Sequence, residues 1–600
     1  MKDNYKWDLQ DLLQGKSLEY LHEQWLNKQN EILKLYPFFL SNLNNFKQWL
    51  KLEEEFDVLS NRLNNYISNN YNEDLVNPLW ISWSQRLSNE SNTFSVKLSD
   101  CTNRILDNEK LIKNYLRDKS INKYQRAFVL IFKTKPHILK KDQEQILSKA
   151  SIFNGGFSTI FSTLSDSDLK FKDAVNTKGK KVHLKTIADI TLNLKSKDRT
   201  LRKSTWINFN QAYANYESTF TQTLYYNYLM LNTISKIRNF NDYIHATAFN
   251  DEIDVKLITT LYENVASFKP IIKRYHQLID KLLKKQLKLN NLEPWDKNVE
   301  LSKTNHTYTI EETKKIIIES LKPLGNGYIN NIKKAFNEHW ISWLPKQNKQ
   351  TGAYSIGGTK GLNKYYISMN FDKTIRSIET IAHELGHSMN SLYINKKQKI
   401  YANTSIFWAE ISSIVNEILL SYYLLDKYQN DKDMSKIILD GLIRNFFATT
   451  TRQIIFSNTE YILNNYVNES KSFTKESIKQ AYIEMIDKYE GIRKKDKYKK
   501  IPYAYSLSTI LRIPHFYAGN FYVYKYAIGQ IVALVVAEEI HKNNQDMINK
   551  YFNFLSSGDS KSPIDTIKIL GIDLYNEEVY IKAKTTISNW INNLGKFVKY

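Results

Sequence analysis

His383-Glu384-Leu385-Gly386-His387 constrains this chain more than any other stretch. On an α-helix two imidazoles four residues apart project from the same side, one turn apart, and can meet at one ion, so the motif predicts a helix. The flanking residues agree. From Asp372, read as the N-cap, the segment Lys373 to Asn395 carries Ile375, Ile378, Ile381, Ala382, Leu385, Met389 and Leu392 at helical spacing. That stripe faces a core, and His383, His387 and Asn390 fall on the other side of the axis. Gly386 costs about 1 kcal/mol relative to alanine inside a helix, which points to another element or a substrate backbone passing close by.

Histidines at this spacing can hold one Zn²⁺, and the carboxylate between them can act as general base on a water that the metal activates. Glu410 is the candidate third ligand. It lies in the run Ile406 to Leu420, apolar on nearly all sides, where Glu410, Ser413, Glu417 and Ser421 form a polar stripe. A carboxylate in such surroundings must be paired, protonated or bound to a metal, and metal binding answers that demand for Glu410. Glu417, two turns on, either hydrogen-bonds the free nitrogen of a ligating histidine or pairs with a lysine or arginine.

Two further stretches carry chemistry. Gly352 to Ser355 and Tyr365 to Phe371 are β-favouring runs separated by Gly357, Gly358 and Gly361, which predicts a hairpin-like sheet just before the histidine helix. An exposed edge there could pair with an extended peptide; the alternative is that the glycines only make turns. Further on, His515 follows Pro514, a context that suggests a loop presenting the imidazole. Tyr517, Tyr522, Tyr524 and Tyr526 crowd the same segment, as hydrogen-bond donors to a developing oxyanion or as ordinary core aromatics.

Several separated motifs occur in order: KWDLQDL at 6–12, GAYS at 352–355 with YYISMNF after it, HELGHSM at 383–389, SIFWAEISSIVNE at 405–417 and IPHFYAGNFYVYKYAIG at 513–529. Together they resemble the oligoendopeptidase F branch of the thimet-oligopeptidase-like zinc peptidases. The resemblance implies a mainly α fold: a large helical zincin-like body with a deep substrate channel, a small β-sheet next to the zinc helix and an N-terminal helical lid region. It also implies one Zn²⁺ per chain on His383, His387 and Glu410, with Glu384 as general base. His515, Tyr522 and Tyr524 would match the groups that bind substrate and stabilise the oxyanion. The implied activity is endopeptidase cleavage of short peptides. Two departures stand out: Asn390 where many relatives carry a third histidine, and Ala518-Gly519-Asn520 within the last motif.

Composition bounds the rest. Only 18 Gly and 10 Pro in 600 residues, with apolar residues at helical spacing through most of the chain, predict a predominantly α protein. The least helical stretch of the first half, 154–181, suggests an N-terminal helical region, 1–185, followed by a catalytic region, 186–600. The formal charge of +22 raises a rival class, a non-catalytic protein that binds nucleic acid or another anionic surface. Its support is the lysine-rich runs at 179–181, 284–285, 314–315 and 494–500, which alternate with apolar helix positions and read as solvated faces. No nucleic-acid partner is therefore expected. A metallocarboxypeptidase on a similar helical scaffold is the alternative among enzymes. The single Cys101 excludes an intrachain disulfide framework, the first residues lack the apolar core of a signal peptide, and no uncharged stretch is long enough to span a membrane. A cytoplasmic protein is expected.

Overall fold

The computed structural model describes residues 5–302, 304, 306–491, 508–519 and 521–598. The lysine run at 494–500 and Asn520 therefore lie outside the described residues. Helices dominate, and the strands are two residues long. The chain forms two compact units, each assembled from three separated stretches: 1–138, 306–423 and 536–573 in the first, and 139–305, 424–535 and 574–600 in the second.

In the first unit, helices α1 (Leu18–Leu35), α2 (Leu43–Glu73) and α3 (Pro78–Lys97) each start at a residue suited to the task. Ser17 accepts from the Tyr20 N–H, Asn42 from the Asn45 N–H and Asn77 from the Leu79 N–H, which satisfies backbone donors the first turn leaves over. Trp25, Leu63, Tyr66, Ile67 and Trp83 from these helices pack with Ile356, Leu362 and Tyr366 into one apolar cluster. A three-stranded sheet stands beside it: β1 (Ile341–Ser342), β2 (Tyr354–Ser355) and β3 (Ile367–Ser368), in spatial order β1-β3-β2. The hairpin expected between 352 and 371 is present as the antiparallel pair β2–β3. The parallel strand β1 was not expected. Lys349 holds this layer from within, its ammonium donating to the carbonyls of Ser342, Leu344 and Met369 and pairing with Glu73 at 3.1 Å.

Two helices follow, α4 (Ile375–Lys397) and α5 (Ala409–Lys427, of which residues up to 423 belong to this unit). Asp372 is not the N-cap of α4; Thr374 holds that position. Asp372 instead accepts from the Thr374 N–H and the Thr374 and Ser377 hydroxyls, bracing the turn from two residues upstream. The apolar stripe of α4 is buried as the periodicity requires, with Ile378, Ile381, Ala382, Leu385 and Met389 all inaccessible. Asn390 departs from the expected polar side: it is buried, and its amide donates to the Leu555 carbonyl.

The second unit is built from helices such as Glu217–Ile237, Thr451–Asn468 and Lys475–Glu490. The stretch 154–181, read from the sequence as poorly helical, is helical through Asp168 and only then forms a two-residue hairpin, Ala174–Val175 with Lys181–Val182. Helix Tyr524–His541 is buried along most of its length, yet no described helix is long and apolar enough to cross a membrane.

Candidate metal centre

Helix α4 brings its two histidines to one side, and α5 lies directly against that side. The reason for the close approach is Gly386. A Cβ built there would sit 2.5 Å from Ser413 Cα, 2.6 Å from the Ser412 carbonyl oxygen and 2.7 Å from Ser413 N, so the backbone of α5 occupies the space a side chain would need. Of the two readings of this glycine, a neighbouring element is the one observed. The Asn416 amide, donating to the Ala382 carbonyl at 3.1 Å, ties the same two helices together.

The consequence is a convergence of three atoms. His383 Nε2 and His387 Nε2 are 3.1 Å apart, and Glu410 Oε2 lies 3.3 Å from the first and 3.5 Å from the second. Donors held about 2.1 Å from one tetrahedral ion are separated by about 3.4 Å, so the triangle has the dimensions a zinc ion requires. Two imidazole nitrogens and one carboxylate oxygen are also a fitting donor set, and three protein ligands leave a position open for water or substrate. Among the described residues this is the one cluster of His, Cys, Asp or Glu side chains able to hold a metal ion. The three side chains keep about a quarter of their surface exposed, which leaves that open position accessible.

The surroundings hold the donors in place. Glu417 Oε1 lies 2.7 Å from His383 Nδ1, which keeps Nε2 turned to the cluster. Of the alternatives left open for Glu417, the histidine contact is observed. Ser413 donates to Glu410 Oε2 at 3.1 Å. Burial acts to lower the His383 imidazole, but the hydrogen bonds to Glu410 and Glu417 outweigh it and raise it to about 10 in the metal-free chain. Burial acts in turn to raise Glu410, and the two histidines overcome it and hold its carboxyl well below the usual carboxylate range.

Glu384 is 7% exposed and is raised above the ordinary glutamate value by burial, against the pull of His383, His387 and the Ser355 N–H. That N–H belongs to β2, and the Ser355 and Ser388 hydroxyls lie 2.8 Å apart, with Ser388 also donating to the Tyr365 carbonyl. Strand β2 and the carboxylate thus form one constellation. Sequence reasoning missed Ser355, because its role belongs to a main-chain N–H.

His515, Tyr522 and Tyr524 lie in the second compact unit, whereas His383, Glu384, His387 and Glu410 lie in the first. His515 sits in the turn Pro514–Phe516, with ring centroids 4.6 Å from Phe516, 5.6 Å from Phe456 and 6.1 Å from Tyr522. Tyr522 is half-buried. Tyr524 is wholly buried and its hydroxyl donates to Asp251, which also pairs with Lys525 at 2.6 Å.

Comparison with known proteins supplies the family. A family model described as peptidase family M3 matches residues 192–586, and one described as oligopeptidase F matches residues 107–171. An oligoendopeptidase F homolog of Mycoplasma genitalium is 38% identical, with 98% of each chain covered. Oligopeptidase PepF of Bacillus subtilis is 30% identical over 79% of this chain and 69% of its own. Among solved structures, oligoendopeptidase-F from Enterococcus faecium superposes with a TM-score of 0.71 at 22% identity, covering 97% of this chain and 99% of its own, so the helical fold is shared. With a family model spanning well over half its length and a near-full-length relative, this chain belongs to peptidase family M3, in its oligopeptidase F branch, and is a peptidase.

Proposed function

We propose that the protein is a zinc-dependent metalloendopeptidase that hydrolyses internal bonds of short peptides. The observation that carries this reading is the triangle of His383, His387 and Glu410 with Glu384 beside it on the same helix. A bound Zn²⁺ would polarise the scissile carbonyl and acidify a water molecule. Glu384 takes the proton of the attacking water on its carboxylate and delivers it to the leaving amine. Burial raises this carboxyl above the ordinary glutamate value, and the Ser355 N–H aims it. Glu417 keeps the His383 ring oriented. Among the described residues strand β2 has a strand neighbour on one side only, and an extended peptide lying along the other edge would be gripped by main-chain hydrogen bonds that ignore side chains.

The assignment of His515, Tyr522 and Tyr524 as donors to the substrate and the oxyanion rests on the family resemblance. Of the two tyrosines, Tyr522 is the better proposal, since the Tyr524 hydroxyl is committed to Asp251. The division into 1–185 as a lid over a substrate channel and 186–600 as catalytic region is likewise proposed. A single cysteine suits action in a reducing cytoplasm.

The test is cleavage of a peptide blocked at both ends by protein of known zinc content. Internal cleavage that stops on zinc removal and returns on zinc addition is expected. Failure to cut unless the C-terminus is free would replace this reading with a metallocarboxypeptidase.

A further inference from the structure

Glu460 lies on the helix Thr451–Asn468 and is wholly buried. Its Oε1 accepts the Phe521 N–H at 3.0 Å and the Tyr228 hydroxyl at 3.3 Å. Its Oε2 has no hydrogen-bond partner among the described residues and lies 3.7 Å from His515 Nε2. Burying a carboxyl with one oxygen unused is costly, so an explanation is required. Phe521 sharpens the point. Its φ of 56° is a left-handed conformation that a bulky side chain rarely adopts, and its N–H is held by Glu460. One carboxyl therefore touches the backbone of the turn that carries Tyr522 and faces the imidazole of His515.

We propose that Glu460 is a positioning residue, its Oε2 side orienting the His515 imidazole through Nε2 while Oε1 pins the turn that carries Tyr522. This rests on the reading of His515 and Tyr522 as groups that meet the substrate. The proton inventory supports it. Burial raises Glu460 to about 8, against the Phe521 N–H and the Tyr228 hydroxyl, and burial lowers His515 to about 4, so both are neutral near pH 7. The other titratable groups around the carboxyl include the phenols of Tyr228, Tyr243 and Tyr262. A neutral carboxyl has one O–H to give, and a sub-ångström adjustment brings it into hydrogen-bond range of Nε2. The imidazole must then carry its proton on Nδ1. Nothing in the sequence marks Glu460 for this role.

The tautomer can be read directly by nitrogen NMR of zinc-loaded protein labelled at histidine, with His515 assigned by substitution. The wild type is expected to carry the His515 proton on Nδ1. Glu460→Gln should keep that tautomer, because its amide can donate to Nε2 while its oxygen accepts the same two donors; its kcat on a doubly blocked peptide should fall less than about threefold. Glu460→Leu should give mixed tautomers and a kcat lower by about 100-fold, with KM changed less than about threefold. A wild-type proton on Nε2, or an unchanged tautomer in Glu460→Leu, overturns the proposal. If the leucine variant does not fold, the wild-type tautomer and the glutamine variant still decide it. His515→Ala with undiminished kcat would overturn the substrate-facing reading instead, and the tautomer measurement would still judge Glu460.

Discussion

Gly386→Ala tests how the metal centre is assembled. The added methyl would meet Ser413 Cα at 2.5 Å, against an ordinary carbon–carbon contact of about 3.5 Å, so α4 and α5 must separate by about 1 Å. The obstructing atoms are backbone, which cannot rotate aside. Alanine is the better helix former by about 1 kcal/mol, but overpacking against a rigid neighbour costs about 3 kcal/mol, leaving a net destabilisation of about 2 kcal/mol. The three candidate ligands feel the same displacement. Glu410 Oε2 lies 3.3 and 3.5 Å from the two histidine nitrogens, and an added ångström takes both distances beyond the roughly 4.2 Å that two ligands at about 2.1 Å can span. Zinc affinity should therefore fall by a factor on the order of 10 to 100, as when the support of a ligand is removed. Chelator competition measures the affinity and urea unfolding of the metal-free protein measures the stability. Wild-type values in both would refute the argument that the absence of a side chain at 386 builds this site.

Other perturbations separate the roles. Glu384→Gln should bind zinc as the wild type does and lose turnover by a factor on the order of 10³ or more, checked by metal analysis beside steady-state kinetics; a variant with wild-type rates excludes Glu384 as the base. Glu417→Ala removes the 2.7 Å contact to His383 Nδ1 and should weaken zinc binding by about 10- to 100-fold, read by the same competition. Apparent zinc affinity should fall as pH falls, because His383, raised to about 10 by its carboxylate neighbours, must give up a proton to become a ligand. Glu460 gives a pH signature of its own. The folded chain keeps this proton up to about 8 where an ordinary glutamate releases it near 4.5, so the stability it contributes is full below 4.5 and is lost as pH rises to about 8. Urea unfolding of Glu460→Gln across that interval should lack this slope.

Much of the candidate metal centre is legible in the sequence, and the reasons are local. His383, Glu384 and His387 declare themselves through helical periodicity, and Glu410 and Glu417 through being acidic in an apolar helix. Gly386 announced a close approach without saying of what. Other features depend on partners remote in sequence. Strand β1 pairs Ile341 with Ile367 in parallel, across an intervening strand and several turns, and two residues are too few for a periodic signal. Ser355 acts through its main chain, which carries no mark in the sequence. Periodicity places Asn390 on a polar side, and only the position of Leu555 shows that its amide has a buried carbonyl to satisfy. Glu460 draws its donors from Tyr228 and Phe521, which no spacing rule connects to it.

The central claim is that one zinc ion joins two helices through three side chains. Anomalous diffraction at the zinc edge from crystals of active protein measures this directly. A single peak about 2.0 to 2.2 Å from His383 Nε2, His387 Nε2 and a Glu410 carboxylate oxygen is the expected result. An active enzyme without that peak, or with its zinc bound by other residues, would contradict the account.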